Sequence, residues 1–332
     1  MGDDITDAKP FSVDDVIESF PGDNVSESDI LELDKNLVAK IENRPSQESE
    51  ESLSAVHDTL WEINPERGYL GNDNKRAREL SSLSSIVEKD ISYLKNDDGE
   101  INHSTYGPVG NCLGLSMEMV AIAAMRGIEA TPLHLRGISE SHMGVVIGAE
   151  RTYVDPTLEG GYDIDISRGA MSKAVPVNNK QVASLYKNNV ATTIISEGRY
   201  EEAHDILSEG IKDYPESPEL SYTMARCLSY MGEDDDAEGL LESLKDGYSH
   251  DPALHYKIAD IRLNKDMYHE SANMFAAIIS AYPFFLPAYT KIAESLEGLS
   301  REEEAIPYLM AAMDIEPSYN PARKKFYEIM RS

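Results

Sequence analysis

The run Gly110-Asn111-Cys112-Leu113-Gly114-Leu115-Ser116 decides how this chain is read, together with Ser141-His142-Met143-Gly144-Val145-Val146-Ile147 and Tyr153-Val154-Asp155-Pro156-Thr157 downstream. Leu113 to Met125 is apolar on nearly every side, which predicts a buried central helix that opens at Cys112 and stops before Gly127. Strand-like runs follow at Thr131–Gly137, His142–Gly148 and Arg151–Asp155. A thiol at a helix N-terminus is favoured as thiolate, and a nearby imidazolium favours it further. A third group must then orient the imidazole, and Asp155 is available. If Ala149-Glu150 closes a hairpin, paired positions sum to 299. Gly144 then lies opposite Asp155 and His142 opposite Thr157, so His142 and Asp155 share a face as diagonal neighbours, roughly 7–8 Å apart at Cα. Gly144 would leave room for the imidazole, and a three-residue loop would break the parity. The competing reading makes Cys112 a buried structural thiol, His142 a satisfied core histidine and Asp155 turn chemistry. His134, on the neighbouring strand, and Cys227 are read as packing, and Ser116 as a small polar residue in the first helical turns.

Upstream, residues 1–50 form an acidic leader. Short helices are expected after Ser12 (13–20) and after Ser28 (29–41), each serine serving as N-cap. Helical periods return at 52–63, with Trp61 beside the apolar stripe, and at about 75–94. Residues 158–180 read as a connector. Downstream, Gly198, Gly232, Asp266 and Ser300 are spaced by 34, as are Ala203, Ala237, Ser271 and Ala305. Pro215, Pro283 and Pro317 share that phase, with Ser249 in the missing place. The small residues allow close helix approach and the prolines end the second helix of each pair. This is a helix–turn–helix repeat array with a terminal capping helix from Pro321 to Met330.

The formal charge is −30, distributed as −10, −7 and −13 over residues 1–50, 51–183 and 184–332. Such a field repels phosphate, so nucleic acid is not an expected partner; it reads first as a device of solubility, with attraction of a basic protein segment as the sharper alternative. No stretch of eighteen apolar residues occurs, so no membrane span is expected. The acidic start lacks an apolar signal core, and the loose myristoylation match through Gly2 and Thr6 is not taken as an anchor. Two cysteines without a Cys-x-x-Cys or clustered His/Cys spacing point away from a metal site and toward a reducing, cytoplasmic compartment. No cofactor is implied.

The residues around Cys112, His142 and Asp155 resemble the transglutaminase-like superfamily, over about residues 75–165. The resemblance implies a helix packed on an antiparallel sheet, with Cys112 as nucleophile, His142 as base and acid, and Asp155 as orienter. His142-Met143-Gly144 departs from that family's frequent His-Ala-Trp-like run. The 34-residue period resembles the tetratricopeptide repeat, and a bacterial and archaeal subgroup joins the two domains in this order, some members having lost the cysteine. The implied fold class is an α+β transglutaminase-like (papain-like core) domain followed by an all-α tetratricopeptide-repeat solenoid. Its parts are the leader 1–50, the domain 51–165, a connector 166–183, four repeats over 184–319 (184–217, 218–251, 252–285 and 286–319), and a capping helix 320–332. Candidate oxyanion donors beside the Cys112 N–H are Asn111, Tyr106 and Asn102. By the repeat family's phase, Tyr222, Arg226, Tyr230, Tyr256, Asp260, Asn264, Glu294 and Glu297 line a groove suited to a peptide or protein segment, the competing reading being that the array only buttresses the catalytic domain. The chain therefore reads as a thiol hydrolase or acyltransferase acting on amide bonds, with a catalytically silent scaffold or regulatory interaction protein as the alternative.

Overall fold

A computed structural model describes residues 9–18, 112–125, 129–138, 141–147, 152–155 and 174–331. The helices expected over 29–41, 52–63 and 75–94, and Trp61, lie outside the described residues. The chain divides into two compact units, Met1–Thr223 and Met224–Ser332.

In the first unit the leader helix α1 (Val13–Glu18) starts as its sequence requires. Ser12 Oγ accepts from the Asp15 N–H at 3.2 Å while Asp15 Oδ2 accepts from the Ser12 N–H at 2.8 Å, a reciprocal cap. The Phe11 N–H donates to the Ala130 carbonyl at 2.9 Å, and the Phe11 side chain is buried. The leader is thereby tied to the start of the first strand. Helix α2 (Cys112–Met125) carries buried Leu113, Met117, Met119, Val120 and Ala123, as its all-round apolar sequence dictates. It packs on α1 and on strands β1 (Ala130–Leu135) and β2 (His142–Ile147).

With β3 (Thr152–Val154) and β4 (Ala174–Pro176) these strands form one antiparallel sheet in the order β3-β2-β1-β4. Val145 pairs Val154, Val146 pairs Tyr153 and Ile147 pairs Thr152, so the register is the expected one. The fourth strand comes from the stretch read as connector. Three residues ending in proline carry no readable period, and proline fits there because the strand lies at the sheet's edge. Alternation puts Leu133, Leu135, His142, Gly144, Val146 and Tyr153 on one face, and Pro132, His134, Met143 and Val145 on the other. Gly144 does not leave space for an imidazole. The Tyr153 ring occupies it, and a Cβ at Gly144 would collide with the Tyr153 hydroxyl and ring.

Helix α3 (Asn179–Ser196) begins with a capping box between Asn178 and Gln181. Together α3 and α4 (Tyr200–Asp213) make the first helix pair. The pair belongs to the same compact unit as the sheet, together with the first residues of α5 (Pro218–Met231).

The second unit continues the array with α6 (Asp234–Tyr248), α7 (Pro252–Asn264), α8 (Tyr268–Ala281), α9 (Pro287–Gly298), α10 (Glu302–Ile315) and the terminal α11 (Asn320–Ile329). Its interior includes Phe275, Ile292, Leu296 and Leu309. Each of the two 34-residue series has a structural cause. Gly198, Gly232, Asp266 and Ser300 all adopt left-handed backbone, with φ of 78°, 85°, 58° and 55°. The next residue in each case donates its N–H to the carbonyl five positions back, closing the first helix of the pair. Ala203, Ala237, Ser271 and Ala305 are all fully buried at the helix contacts. Ser271 meets the cost of its hydroxyl through the Ala259 carbonyl at 3.0 Å and Ser295 Oγ at 2.9 Å.

The prolines act through the residue before them. Tyr214, Tyr282 and Glu316 are pushed to ψ of 68°, 73° and 94°, out of the helix. Where Ser249 replaces the proline, α6 runs on through Tyr248 and its cap stays helical.

Because a left-handed serine is strained, Ser300→Gly should raise the unfolding free energy by about 0.5–1 kcal/mol, net of glycine's larger unfolded-state entropy. Gly232→Ala should lower it by about 1 kcal/mol although nothing lies within 4 Å of the new Cβ. Urea unfolding of the two variants tests this; a neutral Gly232→Ala would remove the turn's handedness as the reason for the series.

Candidate functional site

Three elements bring the first site together. Cys112 is the first residue of α2 and is half-buried. His142 is the first residue of β2, its side chain 29% exposed, and Asp155 directly follows β3 and is buried. Extending the β2–β3 register by one step puts Asp155 opposite Gly144, on the His142 face. His142 Nε2 lies 2.8 Å from Asp155 Oδ2. Cys112 stands close enough to the same imidazole to favour its protonated form. Burial alone would depress the imidazole's pKa. The Asp155 hydrogen bond and the neighbouring Cys112, with the negative charge of both, outweigh it, and His142 is pushed up to about 10. The arrangement favours an imidazolium between a carboxylate and a sulfur at neutral pH.

Tyr153 is a further residue of this face. Its ring covers Gly144, and burial, then the charges of Asp155 and Cys112, hold its phenol well above the usual range. It therefore remains a neutral O–H donor beside the pair. The sequence signal was present, since Tyr153 stands two residues before Asp155 and so on the same face. Ser116, one turn beyond Cys112, is fully buried and its Oγ has no hydrogen-bond partner. Asn111, Tyr106 and Asn102 lie outside the described residues. His134 faces away from this site, and Cys227 is buried in α5.

The expected groove residues of the second unit fall into two groups. Tyr256 is half-buried and packs between Phe275 and Phe285, with centroids at 5.6 and 5.5 Å. Asp260, Glu294 and Glu297 are each paired with a lysine. Asp260 meets Lys257 at 3.0 Å and Lys291 at 3.1 Å, Lys291 meets Glu294 at 2.8 Å, and Lys325 meets Glu297 at 2.5 Å. Burial would raise the Asp260 carboxyl, but the two lysines hold it below the usual range. Lys257 also lies 5.3 Å from the centroid of the Tyr230 ring, which is half exposed. Lys257, Lys291 and Lys325 are themselves spaced by 34, a series outside the groove positions expected from the sequence. Asn264 is exposed and Arg226 half-buried at their expected places on α7 and α5, and Tyr222 is half-buried on the part of α5 that belongs to the first unit.

Among the described residues no group of three or more His, Cys, Asp or Glu side chains is placed to hold a metal ion, and no helix is long and apolar enough to cross a membrane.

Comparison with known proteins bears on the helical pairs. Residues 195–261 match the family model described as tetratricopeptide repeat. The C-terminal helical region is a tetratricopeptide-repeat array. None of the curated proteins matches the chain. Solved structures similar to it include YrrB, described as a TPR protein with an unusual peptide-binding site, at 18% identity and TM-score 0.37, over 44% of this chain and 79% of that one. A thermophilic TPR protein of Thermus thermophilus aligns at 14% identity and TM-score 0.41, over 45% and 81%. MamA of Desulfovibrio magneticus aligns at 19% and 0.36, over 45% and 93%.

If His142 is held as an imidazolium by Cys112 and Asp155, alkylation of Cys112 at pH 7 should fall about tenfold in His142→Ala, with buried Cys227 as internal control. The folded-state value lies above the ordinary 6.5, so the pairing adds stability that is full below pH 6.5 and is lost as pH rises through about 10. The urea stability difference between wild type and His142→Ala should close over that window; a constant difference from about pH 6 to about pH 10.5 would break the pairing argument.

Proposed function

We propose that this protein binds a peptide or protein segment through its tetratricopeptide repeats and carries, on its N-terminal sheet, a transglutaminase-like thiol centre that acts on amide bonds. The observation that carries the second part is the alignment of Cys112, His142 and Asp155 at one end of α2 and the β2–β3 hairpin. In this reading the Cys112 sulfur attacks the substrate carbonyl carbon as thiolate. The new oxyanion faces the Cys112 N–H, one of the four that a helix start leaves without an intrahelical partner. Asp155 engages Nε2 of His142, which leaves Nδ1 to handle the thiol proton. That proton passes to the leaving amine as the C–N bond breaks, giving a thioester on Cys112. Water then attacks the thioester, losing a proton to His142, and the carboxylic acid leaves as the thiol re-forms. In this reading water is the acyl acceptor, so the reaction is a hydrolysis. Two free cysteines suit a reducing, cytoplasmic setting.

The repeats would hold the substrate or its carrier. Each expected acid of the second unit is paired with lysine, so the case for a basic partner rests on the overall charge of −30 alone. The paired ladder suits a segment of mixed charge.

A second reading, an interaction protein with a silent centre, is favoured by the match of residues 195–261 to the tetratricopeptide family. Acid-quenched intact mass after mixing with a pool of N-acetylated peptide amides separates the two. The enzyme reading expects a thioester adduct on wild type that is absent from Cys112→Ala and reduced at least about tenfold in His142→Ala. Peptide capture by the wild type without any adduct would leave the interaction reading alone standing.

A further inference from the structure

The face of the sheet opposite His142 carries a second histidine–carboxylate pair. His134 on β1 is fully buried, and its Nε2 lies 2.6 Å from Oε1 of Glu219, in the first turn of α5. Its Nδ1 lies 2.9 Å from the hydroxyl of Tyr214, between α4 and α5, whose ring stands edge-on at 5.7 Å. Ser141 Oγ donates to the same Glu219 Oε1 at 2.7 Å and lies 3.2 Å from His134 Nε2. Glu219 Oε2 is buried without a hydrogen-bond partner. Burial would raise the Glu219 carboxyl, but the His134 charge and the two side-chain hydrogen bonds hold it below the usual range.

The place of this cluster in the chain gives it meaning. Ser141 is the residue immediately before His142. Leu135, the β1 partner of His142, immediately follows His134. One carboxylate oxygen thus grips both residues that flank the His142 pairing, from behind the sheet. We propose that Glu219 is a positioning residue for the thiol centre: by holding Ser141 and His134 it fixes the strand end that presents His142 to Cys112. This rests on the reading of His142 given above as the partner of Cys112.

The test is the titration of His142 in the full chain, followed by NMR of ring-labelled histidine and assigned with His142→Ala, alongside urea unfolding. Wild type should titrate near 10. Glu219→Gln, which keeps the shape and removes the charge, should lower the midpoint by at least about one unit while the chain remains folded. Ser141→Ala should lower it in the same direction, Ser141→Thr should restore it, and Ser141→Ala should add little in the Glu219→Gln background. If Glu219→Gln fails to fold, the two Ser141 variants decide alone. A loss of stability with an unchanged His142 midpoint in these variants would overturn the proposal and leave the thiol-centre reading intact. Conversely, if Cys112→Ala leaves the wild-type midpoint unmoved while Glu219→Gln shifts it, the thiol-centre reading falls and the positioning role falls with it, leaving Glu219 only as a support of the β2 strand end.

Discussion

The β2–β3 hairpin is governed by parity, and the site inherits that parity. Successive side chains of a strand point to opposite faces, so a one-residue change in the loop moves every side chain of β3 to the other side of the sheet. With Val145 opposite Val154, His142, Gly144, Tyr153 and Asp155 are gathered on one face. A shift by one would put Val154 where Asp155 stands and leave the imidazole facing a hydrocarbon. The short reach between Nε2 and Oδ2 thus depends first on a loop length and only then on the identity of the two residues. Cys112 needs no such register, because the first residue of a helix is fixed by where the helix begins.

How much of this could be read beforehand depends on how local the cause is. The repeat phase was legible because its marks are backbone demands: a left-handed turn at Gly198 and Gly232, and a proline that forces the preceding residue out of the helix. Asp266 and Ser300 could be placed only by phase, since neither residue by itself announces a positive φ. The face shared by His142 and Asp155 was legible because loops of two or four residues both satisfy the alternation, and only an odd loop breaks it. Strand β4 was not, because Ala174–Pro176 is too short for a period and its pairing with β1 is a tertiary choice. The occupant of the space over Gly144 was likewise misread. A glycine says that something comes close, and Tyr153 rather than His142 is what comes. Periodicity also says nothing about which neighbour a helix pair joins, so the inclusion of α3 and α4 in the sheet's compact unit emerged only from the structure.

Charge behaves differently at the two scales. The chain as a whole is strongly acidic, and the positions expected to line the repeat groove include Asp260, Glu294 and Glu297 beside tyrosines and Arg226. In the structure Asp260 sits between Lys257 and Lys291, and Glu297 faces Lys325. Partly buried acids are drawn to bases because an unpaired charge there costs several kcal/mol. Their potential is therefore local and nearly cancelled, while unpaired surface acids set the long-range field. Composition predicts the second quantity and not the first.

The sheet carries one histidine–carboxylate pair on each face, and their burial separates their roles. The His142 ring is partly open to solvent, whereas Asp155 beside it is buried. His134 and Glu219 are sealed among Tyr214, Ser141 and the start of α5, where a buried carboxylate, even one hydrogen-bonded to an imidazole, is a poor source of stability. Replacing such a pair with well-packed apolar residues is often neutral or stabilising, whereas removing one partner typically costs about 3–5 kcal/mol. What the buried pair does supply is selectivity. An apolar contact between β1 and α5 would tolerate a slide of an ångström or two, while a carboxylate oxygen shared by an imidazole and a hydroxyl at 2.6 and 2.7 Å tolerates much less. A site that needs an imidazole held between a sulfur and a carboxylate gains from that intolerance, since a misplacement of about 1 Å is enough to weaken such chemistry a hundredfold. The costly buried charge and the demanding partly exposed one are, on this argument, two ends of one mechanical requirement.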